Sequence, residues 1–415
     1  MTPLRHYGAL ALLLCISLCA NAQKWKYDFV VPDNGNFRQA INAANTRADK
    51  NRRYRIFVRA SNYRLGNVVT TLTAPNTSII GEVCQGTQVE SCPQEEGFDR
   101  TSTLYLCGAD STYIQDIELW SNFRNDPTVF ARCAVTLREQ NCHGTILKNI
   151  SLLGTQNTYY TNNSTTYIED SRLCGTVDFI CGSSTVYIDH CELRLMDRGN
   201  ADNQAVICAP STPPSARYGF VFSDCFVTGP QHQDGRYLLA RPWNNAPRAA
   251  FLNCCMDITP APEAWGDKGE VAPAQFAEFE CTNRTFELLD TSARRTTFAR
   301  QTGNPQPMQQ PSVLSADAAE NFVAHRVFNA WTPQSKSEQV PPPVVTRQGR
   351  QLTWKDIPEA GCYAICRDRK VVAFTTEPRY TIPTGTREGT VFSVRCANQM
   401  GGLGLRSAEV TYSAR

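Results

Sequence analysis

The sequence is poor in residues that bind metals, and its charges nearly cancel. It contains 5 histidines, and no two of its 18 cysteines are spaced as C-x-x-C, so a zinc site is not expected. The formal net charge is only +2, which gives no strong field to attract a polyanion or a charged membrane surface. We therefore expect no metal, no cofactor, no nucleic-acid partner and no membrane partner.

Long apolar stretches are absent after the first residues of the chain. Arg5 is followed by an apolar run from Gly8 to Cys19 and by the A-x-A site Ala20-Asn-Ala22. A basic start, a short apolar run and small residues are typical of a secretory signal peptide. No later run approaches the roughly 20 apolar residues of a membrane-spanning helix. We expect residues 1–22 to be a signal peptide cleaved after Ala22, and the mature protein to be secreted or periplasmic.

The sequence is rich in cysteine, with 18 residues. Cleavage would remove Cys15 and Cys19 and leave 18 − 2 = 16 cysteines. Several of these recur at matching places in strand-like segments, which favours small buried thiols; they include Cys191, Cys225 and Cys254. Because exported proteins form disulfides, one or two bridges in loops are also expected, such as Cys84 with Cys92.

A loose repeat runs through the middle of the chain. Each unit has an apolar residue, a nearby Asn or Asp, and another apolar residue: Ile114–Leu119, Leu147–Leu152, Ile168–Leu173, Ile188–Leu193, Phe222–Val227 and Leu252–Met256. Self-similarity at intervals of about 20 to 35 residues indicates a solenoid of stacked units. Gly, Asn, Thr and β-branched residues dominate, which favours strands over helical repeats. The sequence predicts an all-β protein built on a parallel β-helix.

Helical patterns flank the repeat. Near the start, Phe37, Ala40, Ile41 and Ala44 fall on one face of an amphipathic helix. Beyond residue 295, a single helix from Ser315 to Phe328 is predicted, with Ser315 as its N-cap. The Pro- and Ser-rich stretch from Thr332 to Val344 is typical of a linker.

The last seventy or so residues alternate strands and turns, which indicates a small β-sandwich. The pattern of Trp354, Tyr363, Tyr380 and the segment from Cys396 resembles a fibronectin type III domain. In that fold Cys366 would lie on a strand facing Cys396 and could pair with it. We interpret this unit as a spacer or an interaction module. The expected domains are a signal peptide (1–22), the β-helix (23–295), a helix with a Pro-rich linker (296–344) and the sandwich (345–415).

The most unusual stretch is Gly175-Thr-Val-Asp-Phe-Ile-Cys-Gly182. Side chains alternate along a strand, so Asp178 is expected on the face opposite Val177 and Phe179. A charge in so apolar a segment is costly unless it is paired. The alternative interpretation is a buried Asp that caps a turn.

Three stretches, in this order, resemble the pectin methylesterases (pectinesterases): Gly154–Tyr160, Gly175–Gly182 and Arg241-Pro-Trp243. The resemblance spans roughly residues 24 to 295. It implies a right-handed parallel β-helix that hydrolyses the C6 methyl esters of galacturonate in pectin without a metal. The implied partner is pectin or homogalacturonan, and a monomer is expected.

The resemblance also implies roles for individual residues. Asp178 matches the nucleophile, Arg241 the guanidinium that orients it, and Gln156 an oxyanion-hole glutamine. Trp243 matches part of the sugar platform. Aromatic residues of the same stretches are expected to line the groove, with burial in the core as the alternative: Phe179, Tyr159 and Tyr160.

Two positions depart from the family pattern. Asn157 stands where the family has its acid/base Asp, and Cys133 stands where it has a second oxyanion glutamine. An amide cannot cycle a proton at neutral pH. Loop carboxylates are candidates by position for the missing proton transfer: Asp197, Asp202 and Asp234.

Three functional hypotheses remain open. The first is a pectin methylesterase of weakened activity, and the second is an impaired relative that only binds pectin. The third is a pectate-lyase-like polysaccharide lyase, which is disfavoured because no acidic cluster lies near Asp178 in the sequence.

Overall fold

The computed structural model describes residues 23–123, 133–197, 204–268, 271–299 and 307–413. Its larger part is a right-handed parallel β-helix in which each full coil gives one strand to each of three parallel sheets. The all-β fold class predicted from the repeat is thus confirmed. The signal peptide predicted for residues 1–22 lies outside the described residues.

The three sheets follow one another in each coil. The first sheet has ten strands: Phe29–Val31, Tyr54–Val58, Thr77–Gly81, Tyr113–Gln115, His143–Lys148, Thr165–Glu169, Thr185–Asp189, Phe220–Ser223, Arg248–Leu252 and Gln275–Phe279. The second has nine: Ser61–Arg64, Thr87–Ser91, Glu118–Ser121, Ser151–Leu153, Arg172–Gly175, Glu192–Leu195, Phe226–Thr228, Cys255–Met256 and Thr282–Asn283. The third has seven: Thr70–Leu72, Leu104–Cys107, Leu137–Gln140, Tyr159–Asn162, Val177–Gly182, Val206–Pro210 and Leu238–Ala240.

The turn between the first and second sheets explains the repeat in the sequence. At this turn five coils in a row place Asn149, Asp170, His190, Asp224 and Asn253 in the left-handed region, with φ of 46, 50, 50, 52 and 53°. Asn and Asp tolerate this conformation better than other non-glycine residues. The residue before each turn and the one after it belong to flanking strands or the buried core. The pattern of an apolar residue, Asn or Asp, and another apolar residue therefore encodes one corner of a coil.

The residue after each of these turns packs inside the solenoid. In the later coils this residue is Cys191, Cys225, Cys254 or Cys281, each buried with a free thiol. Their stacking confirms the prediction of small buried thiols in the repeat.

The predicted bridge between Cys84 and Cys92 is wrong. The Cys84 sulfur lies 3.6 Å from Ser151 Oγ inside the solenoid, whereas the Cys92 sulfur lies 3.5 Å from Glu90 Oε1. Both thiols are free, because the two side chains lie in different surroundings and take different partners.

The N-terminal end of the solenoid is covered by the helix Phe37–Thr46. A capping box starts it: the Asn36 side chain accepts from the Gln39 amide, and the Gln39 side chain accepts from the Asn36 amide. Its four buried residues are the four predicted ones: Phe37, Ala40, Ile41 and Ala44. None of the helices in the described part of the chain has the length and apolar character needed to cross a bilayer.

The single helix predicted from Ser315 to Phe328 is broken in the structure. Ser315 does cap a helix, but that helix covers only Ala316–Ala319; a 3-10 turn (Glu320–Phe322) and a second helix (Ala324–Val327) follow. In a continuous helix, Phe322 and Phe328 would point about 120° apart at about 100° per residue. With the break, Phe322 packs on Tyr218 with ring centroids 5.6 Å apart, and Phe328 packs on Tyr187 of the first sheet at 6.1 Å.

The segment predicted as a Pro-rich linker is packed rather than free. It contains a helix, Pro333–Ser337, and Ser337 is buried. Val340 packs into the core of the C-terminal unit. A short antiparallel pair precedes this region, Thr297–Phe298 with Met308–Gln309.

The C-terminal unit consists of two antiparallel sheets. One contains Thr346–Gln348, Gln351–Thr353 and Arg379–Thr381; the other contains Cys362–Arg367, Lys370–Thr375, Val391–Ala397, Leu403–Arg406 and Val410–Thr411. Apolar side chains from both sheets form one core, which agrees with the predicted sandwich. The resemblance to a fibronectin type III domain stays a prediction.

The suggested pairing of Cys366 with Cys396 is wrong. Cys366 lies opposite Ser393 and Cys396 opposite Tyr363, on neighbouring strands of one sheet. Both thiols are free. Cys366 faces the β-helix and Cys396 faces the core of the sandwich, so the two side chains point to opposite sides of the sheet.

The sandwich packs directly on the first sheet of the β-helix. Alternate residues of one strand (Cys362, Ala364 and Cys366) join an apolar cluster with Phe57 and Tyr113 of the solenoid. A buried ion pair joins the two units, with Arg395 Nη2 lying 3.5 Å from Asp116 Oδ2. The unit is thus packed against the coils, and its role as a spacer or an interaction module stays a prediction.

Candidate active site

The predicted nucleophile lies on a β-bulge in the third sheet. Val177 pairs with Val206, and Ile180 pairs with Cys208. Between these pairs, Asp178 and Phe179 on one strand lie opposite the single residue Ile207 on the other. Asp178, inside the bulge, has a left-handed backbone with φ of 49°. A bulge re-aims the side chains of its strand. The local conformation therefore decides where the carboxylate points.

Because of the bulge, side chains do not alternate between the two faces of this strand as expected. Phe179 is fully buried in the core of the solenoid, whereas Val177 packs in a separate cluster with Val206 and Leu238. Val177 and Phe179 therefore do not share a face, because the extra residue breaks the two-residue period. The prediction that Phe179 binds substrate is wrong: the ring is enclosed by the core.

Asp178 and Arg241 form a two-pronged ion pair. Arg241 Nε donates to Asp178 Oδ1 at 2.7 Å, and Nη2 donates to Oδ2. The Asp178 side chain is 7% exposed and that of Arg241 25% exposed. Arg241 directly follows the strand Leu238–Ala240, two strands from Asp178 in the third sheet, and its amide donates to Cys208 O at 3.0 Å. Two parallel charge-assisted hydrogen bonds of this kind fix the orientation of the carboxylate.

Asn157 lies one coil before Asp178 and shares its left-handed backbone, with φ of 61°. Its amide nitrogen lies 3.0 Å from Cys181 Sγ and 3.4 Å from the backbone oxygen of Asp178. Asn157 therefore lies beside the predicted nucleophile, at the place that the family motif implies for the acid/base residue.

Gln156 and Cys133 lie side by side as a bridge between neighbouring coils. The side chain of Gln156 makes no hydrogen bond with any residue that the structure describes, and its Oε1 is buried. Its amide group therefore remains available to a ligand. Burial raises the pKa of the Cys133 thiol to about 12, so this group is neutral at ordinary pH.

These residues open into one cavity of about 450 Å³, which we call the site cavity. It is lined by Glu96, Gly97, Phe98, Cys133, Gln156, Asn157, Asp178, Ala209, Arg241, Trp243 and Lys268. Six of these residues were predicted from the sequence. Glu96, Phe98 and Lys268 were missed, since they lie on loops outside the three stretches that carry the resemblance.

Two aromatic rings, Phe98 and Trp243, line the site cavity. They stack on each other with ring centroids 5.9 Å apart and planes at 18°, and the ring centroid of Tyr160 lies 4.5 Å from that of Phe98. All three rings are partly exposed, as a surface that stacks on a ligand must be. Trp243 thus lies at the cavity, and Tyr160 packs behind Phe98 without lining the cavity. Tyr159 does not line it either: it is fully buried, and its hydroxyl donates to Glu139 Oε2 at 2.7 Å.

Two of the three loop carboxylates proposed for proton transfer, Asp197 and Asp234, are described, and neither lines the site cavity. Asp234 Oδ1 accepts from the amide and hydroxyl of Thr259, both at 2.8 Å, and these bonds lower the pKa of the Asp234 carboxyl. Asp197 lies 3.8 Å from His232 Nε2. Asp202 lies outside the described residues.

One cluster of metal-ligand type occurs among the described residues, and it lies elsewhere. Asp189, His190 and Asp224 bring their ligand atoms within 4.8 Å of one another at the turn after the first sheet. None of the three lines the site cavity. The chemistry of the cavity is that of a carboxylate, a guanidinium and amides.

Comparison with known proteins gives one consistent family. A family model described as pectinesterase matches residues 29–288. Pectinesterase 31 of Arabidopsis thaliana is 30% identical over 181 residues, which are 43% of this chain and 50% of that protein. Probable pectinesterase/pectinesterase inhibitor 6 of the same plant is 26% identical over 247 residues, 58% of this chain and 43% of that protein. The chain spans half or less of the length of these relatives.

Solved structures agree at the level of the fold. Pectin methylesterase PemA from Erwinia chrysanthemi superposes with a TM-score of 0.60 at 20% identity, covering 74% of this chain and 99% of that chain. Pectin methylesterase from carrot gives 0.60 at 18% identity, covering 74% and 95%. The family model covers well over half of the 415 residues. The chain belongs to the pectinesterase family.

Proposed function

We propose that the protein is a carboxylic ester hydrolase that removes methyl groups from esterified galacturonate in pectin. The observation that carries this proposal is the Asp178–Arg241 pair, which lines a cavity together with the stacked rings of Phe98 and Trp243. A buried, oriented carboxylate suits attack on an ester carbonyl. Exposed aromatic rings suit the apolar faces of sugars. Family membership supports the same reaction.

The reaction proceeds in two steps. The Asp178 carboxylate attacks the C6 carbonyl carbon, while Arg241 holds it in line through two hydrogen bonds. The amide of Gln156 donates to the developing oxyanion. Methanol leaves, giving an anhydride between Asp178 and the sugar. Water then attacks the anhydride, which releases the free galacturonate and restores the carboxylate.

Two substitutions are expected to slow this reaction. Asn157 cannot transfer a proton, and loss of a general acid/base costs about 10²–10⁴ in rate. Cys133 is a poor substitute for an amide donor, and loss of an oxyanion donor costs about 10²–10³. We propose an active but slow enzyme.

A second candidate function is pectin binding without turnover. It is favoured by Asn157 and by the neutral thiol of Cys133, and it needs only the stacked aromatic rings. A polysaccharide lyase is disfavoured. The carboxylates that line the described part of the cavity are Asp178 and Glu96, and Arg241 already engages Asp178.

The proposed setting follows from the sequence. A cleavable signal peptide over residues 1–22 would deliver the protein to the periplasm or the exterior, where pectic polymers are found. We propose that it acts there as a monomer, on homogalacturonan.

Methanol release from highly methyl-esterified homogalacturonan tests the proposal. The mature protein is compared with Asp178→Asn and with Asp317→Asn, a control that changes an exposed carboxylate on a distant helix. We expect release by the native protein and the control, and none by Asp178→Asn. A native protein that binds the polymer but releases no more methanol than Asp178→Asn would establish the binding function instead.

A further inference from the structure

The proposed reaction needs a group that gives and takes a proton, and Asn157 cannot be that group. Methoxide must receive a proton as it leaves, and the attacking water must lose one. Gln156 is an amide, and burial keeps the Cys133 thiol neutral. Asp178 is the nucleophile itself. Besides the residues already considered and Arg241, two described residues with ionisable side chains line the site cavity: Glu96 and Lys268.

Glu96 is anchored next to the reacting groups. The amide of the following residue, Gly97, donates to Cys133 O at 3.0 Å, which ties this loop to the coil that pairs with Gln156. Glu96 and Cys133 line the same cavity, and the charge of Glu96 adds to burial in raising the pKa of the Cys133 thiol. On the other side of Gly97, the ring of Phe98 stacks on Trp243.

The carboxyl group of Glu96 is also uncommitted. It makes no hydrogen bond or ion pair with any residue that the structure describes. Its neighbours differ in this respect: Glu95 pairs with Arg100, and Asp99 pairs with Arg138. Of the acidic residues on this loop, Glu96 is the one that lines the site cavity.

We propose that Glu96 performs the proton transfer that Asn157 cannot. This inference rests on the proposed esterase function. In the first step, protonated Glu96 gives its proton to the departing methoxide as the bond between the C6 carbon and the methoxy oxygen breaks, and methanol forms. In the second, the Glu96 carboxylate takes a proton from water while the hydroxyl oxygen attacks the anhydride carbon and the Asp178 carboxylate leaves. Glu96 is protonated again, and the sum is ester plus water to acid plus methanol.

Lys268 does not meet the same requirement. An ammonium group has no free lone pair, so it can donate a proton but cannot accept one from water in the second step. Lys268 and Arg241 give the lining two cations beside the two carboxylates of Asp178 and Glu96. A carboxyl group can serve in both directions.

The test is a comparison of Glu96→Gln with Glu95→Gln, its neighbour outside the cavity. Glu96 is exposed, so the substitution is expected to leave the fold intact, which thermal unfolding checks. We expect Glu96→Gln to lower kcat for methanol release by about 10²-fold or more, with KM little changed, and Glu95→Gln to leave both unchanged. An unchanged kcat in Glu96→Gln would overturn the inference.

The same substitution of Glu96, made in the Asn157→Asp variant, separates proton transfer by Glu96 from a structural role. The Asn157→Asp variant places a carboxyl group beside the nucleophile, so methanol release should no longer depend on Glu96. We expect Glu96→Gln to cost less than about 10-fold in that background, against the 10²-fold loss in the native one. Equal losses in both backgrounds would show a role in binding or folding and overturn the inference.

If neither the native protein nor Asp178→Asn releases methanol, the proposed function is overturned, and this inference with it.

Discussion

At the scale of single residues, the site depends on how Asp178 is held. Its left-handed backbone, its slight exposure and its two hydrogen bonds from Arg241 all act on the same carboxylate. A planar guanidinium fixes both the charge and the direction of a carboxylate, whereas an ammonium fixes only the charge. We therefore expect both hydrogen bonds from Arg241 to Asp178, and not only the positive charge, to contribute to catalysis.

Replacing Arg241 by Lys should expose this difference. The positive charge remains, but one charged hydrogen bond is lost, which corresponds to about 1.5–3 kcal/mol, or roughly 10- to 100-fold in kcat. Methanol release and thermal unfolding are measured together, with Arg326→Lys on the exposed surface as the control. A variant with native kcat would show that charge alone is sufficient.

Replacing Cys133 by Gln should restore a second oxyanion donor. Cys133 pairs with Gln156 across neighbouring coils, so the new amide would lie beside the existing one. We expect kcat to rise by about 10-fold or more, less than the full 10²–10³ of a native donor because the new side chain is not pre-oriented. The effect should vanish in Asp178→Asn, which is the matched control.

Sequence reasoning found most of the site and misplaced two rings, Phe179 and Tyr159, which are buried in the core. Asp178, Arg241 and Gln156 were predicted because their stretches carry family motifs, and all three line the cavity. Phe179 was misplaced because strict alternation ignores the bulge beside it. Glu96 was missed because no short motif marks a loop that reaches the cavity only through the fold.

At the scale of elements, the corner of each coil sets the register of the strands. The exposed Asn253 has φ of 53°, and none of its side-chain atoms bonds to a described residue. Its contribution to stability therefore comes from its backbone. The repeat could be predicted from the sequence because the turn requires residues that tolerate a left-handed backbone. The break in the helix at Val323 could not be predicted, because it depends on where Phe322 and Phe328 pack against the β-helix.

Substitutions at Asn253 test this backbone role. Asn253→Val should lower the free energy of unfolding by about 1–2 kcal/mol, since a β-branched residue is strained at positive φ. Asn253→Gly should change it by only a few tenths, because glycine adopts this conformation freely. Chemical denaturation of both variants measures the difference, and equal values would mean that the turn is not strained.

At the scale of the whole molecule, a buried ion pair joins the sandwich to the coils. Burial raises the pKa of the Asp116 carboxyl, and the nearby Arg395 opposes that rise. Sequence reasoning did not foresee this contact, because the strand Cys362–Arg367 is apolar on both faces and its pattern does not say what covers the second one.

Replacing Arg395 by Met should destabilise the protein by about 3–5 kcal/mol at neutral pH, since it leaves a buried carboxylate unpaired. The folded-state pKa of Asp116 lies above its unfolded value, so the folded form binds the proton more tightly. Without Arg395 the loss should be largest above the folded pKa and should shrink as the pH falls toward the unfolded pKa. Urea unfolding across this range measures it, with Arg406→Met as the exposed control.

The C-terminal third runs back along the outside of the first sheet, with the broken helices on its middle coils and the sandwich on its earliest ones. An open stack of coils can fray from either end, because each coil contacts only its neighbours. Here the earliest coils are covered by a unit that follows them much later in the chain. Phe57 and Tyr113 therefore stay uncovered until that unit has folded onto them, and the partly folded chain should be prone to aggregation at this apolar face.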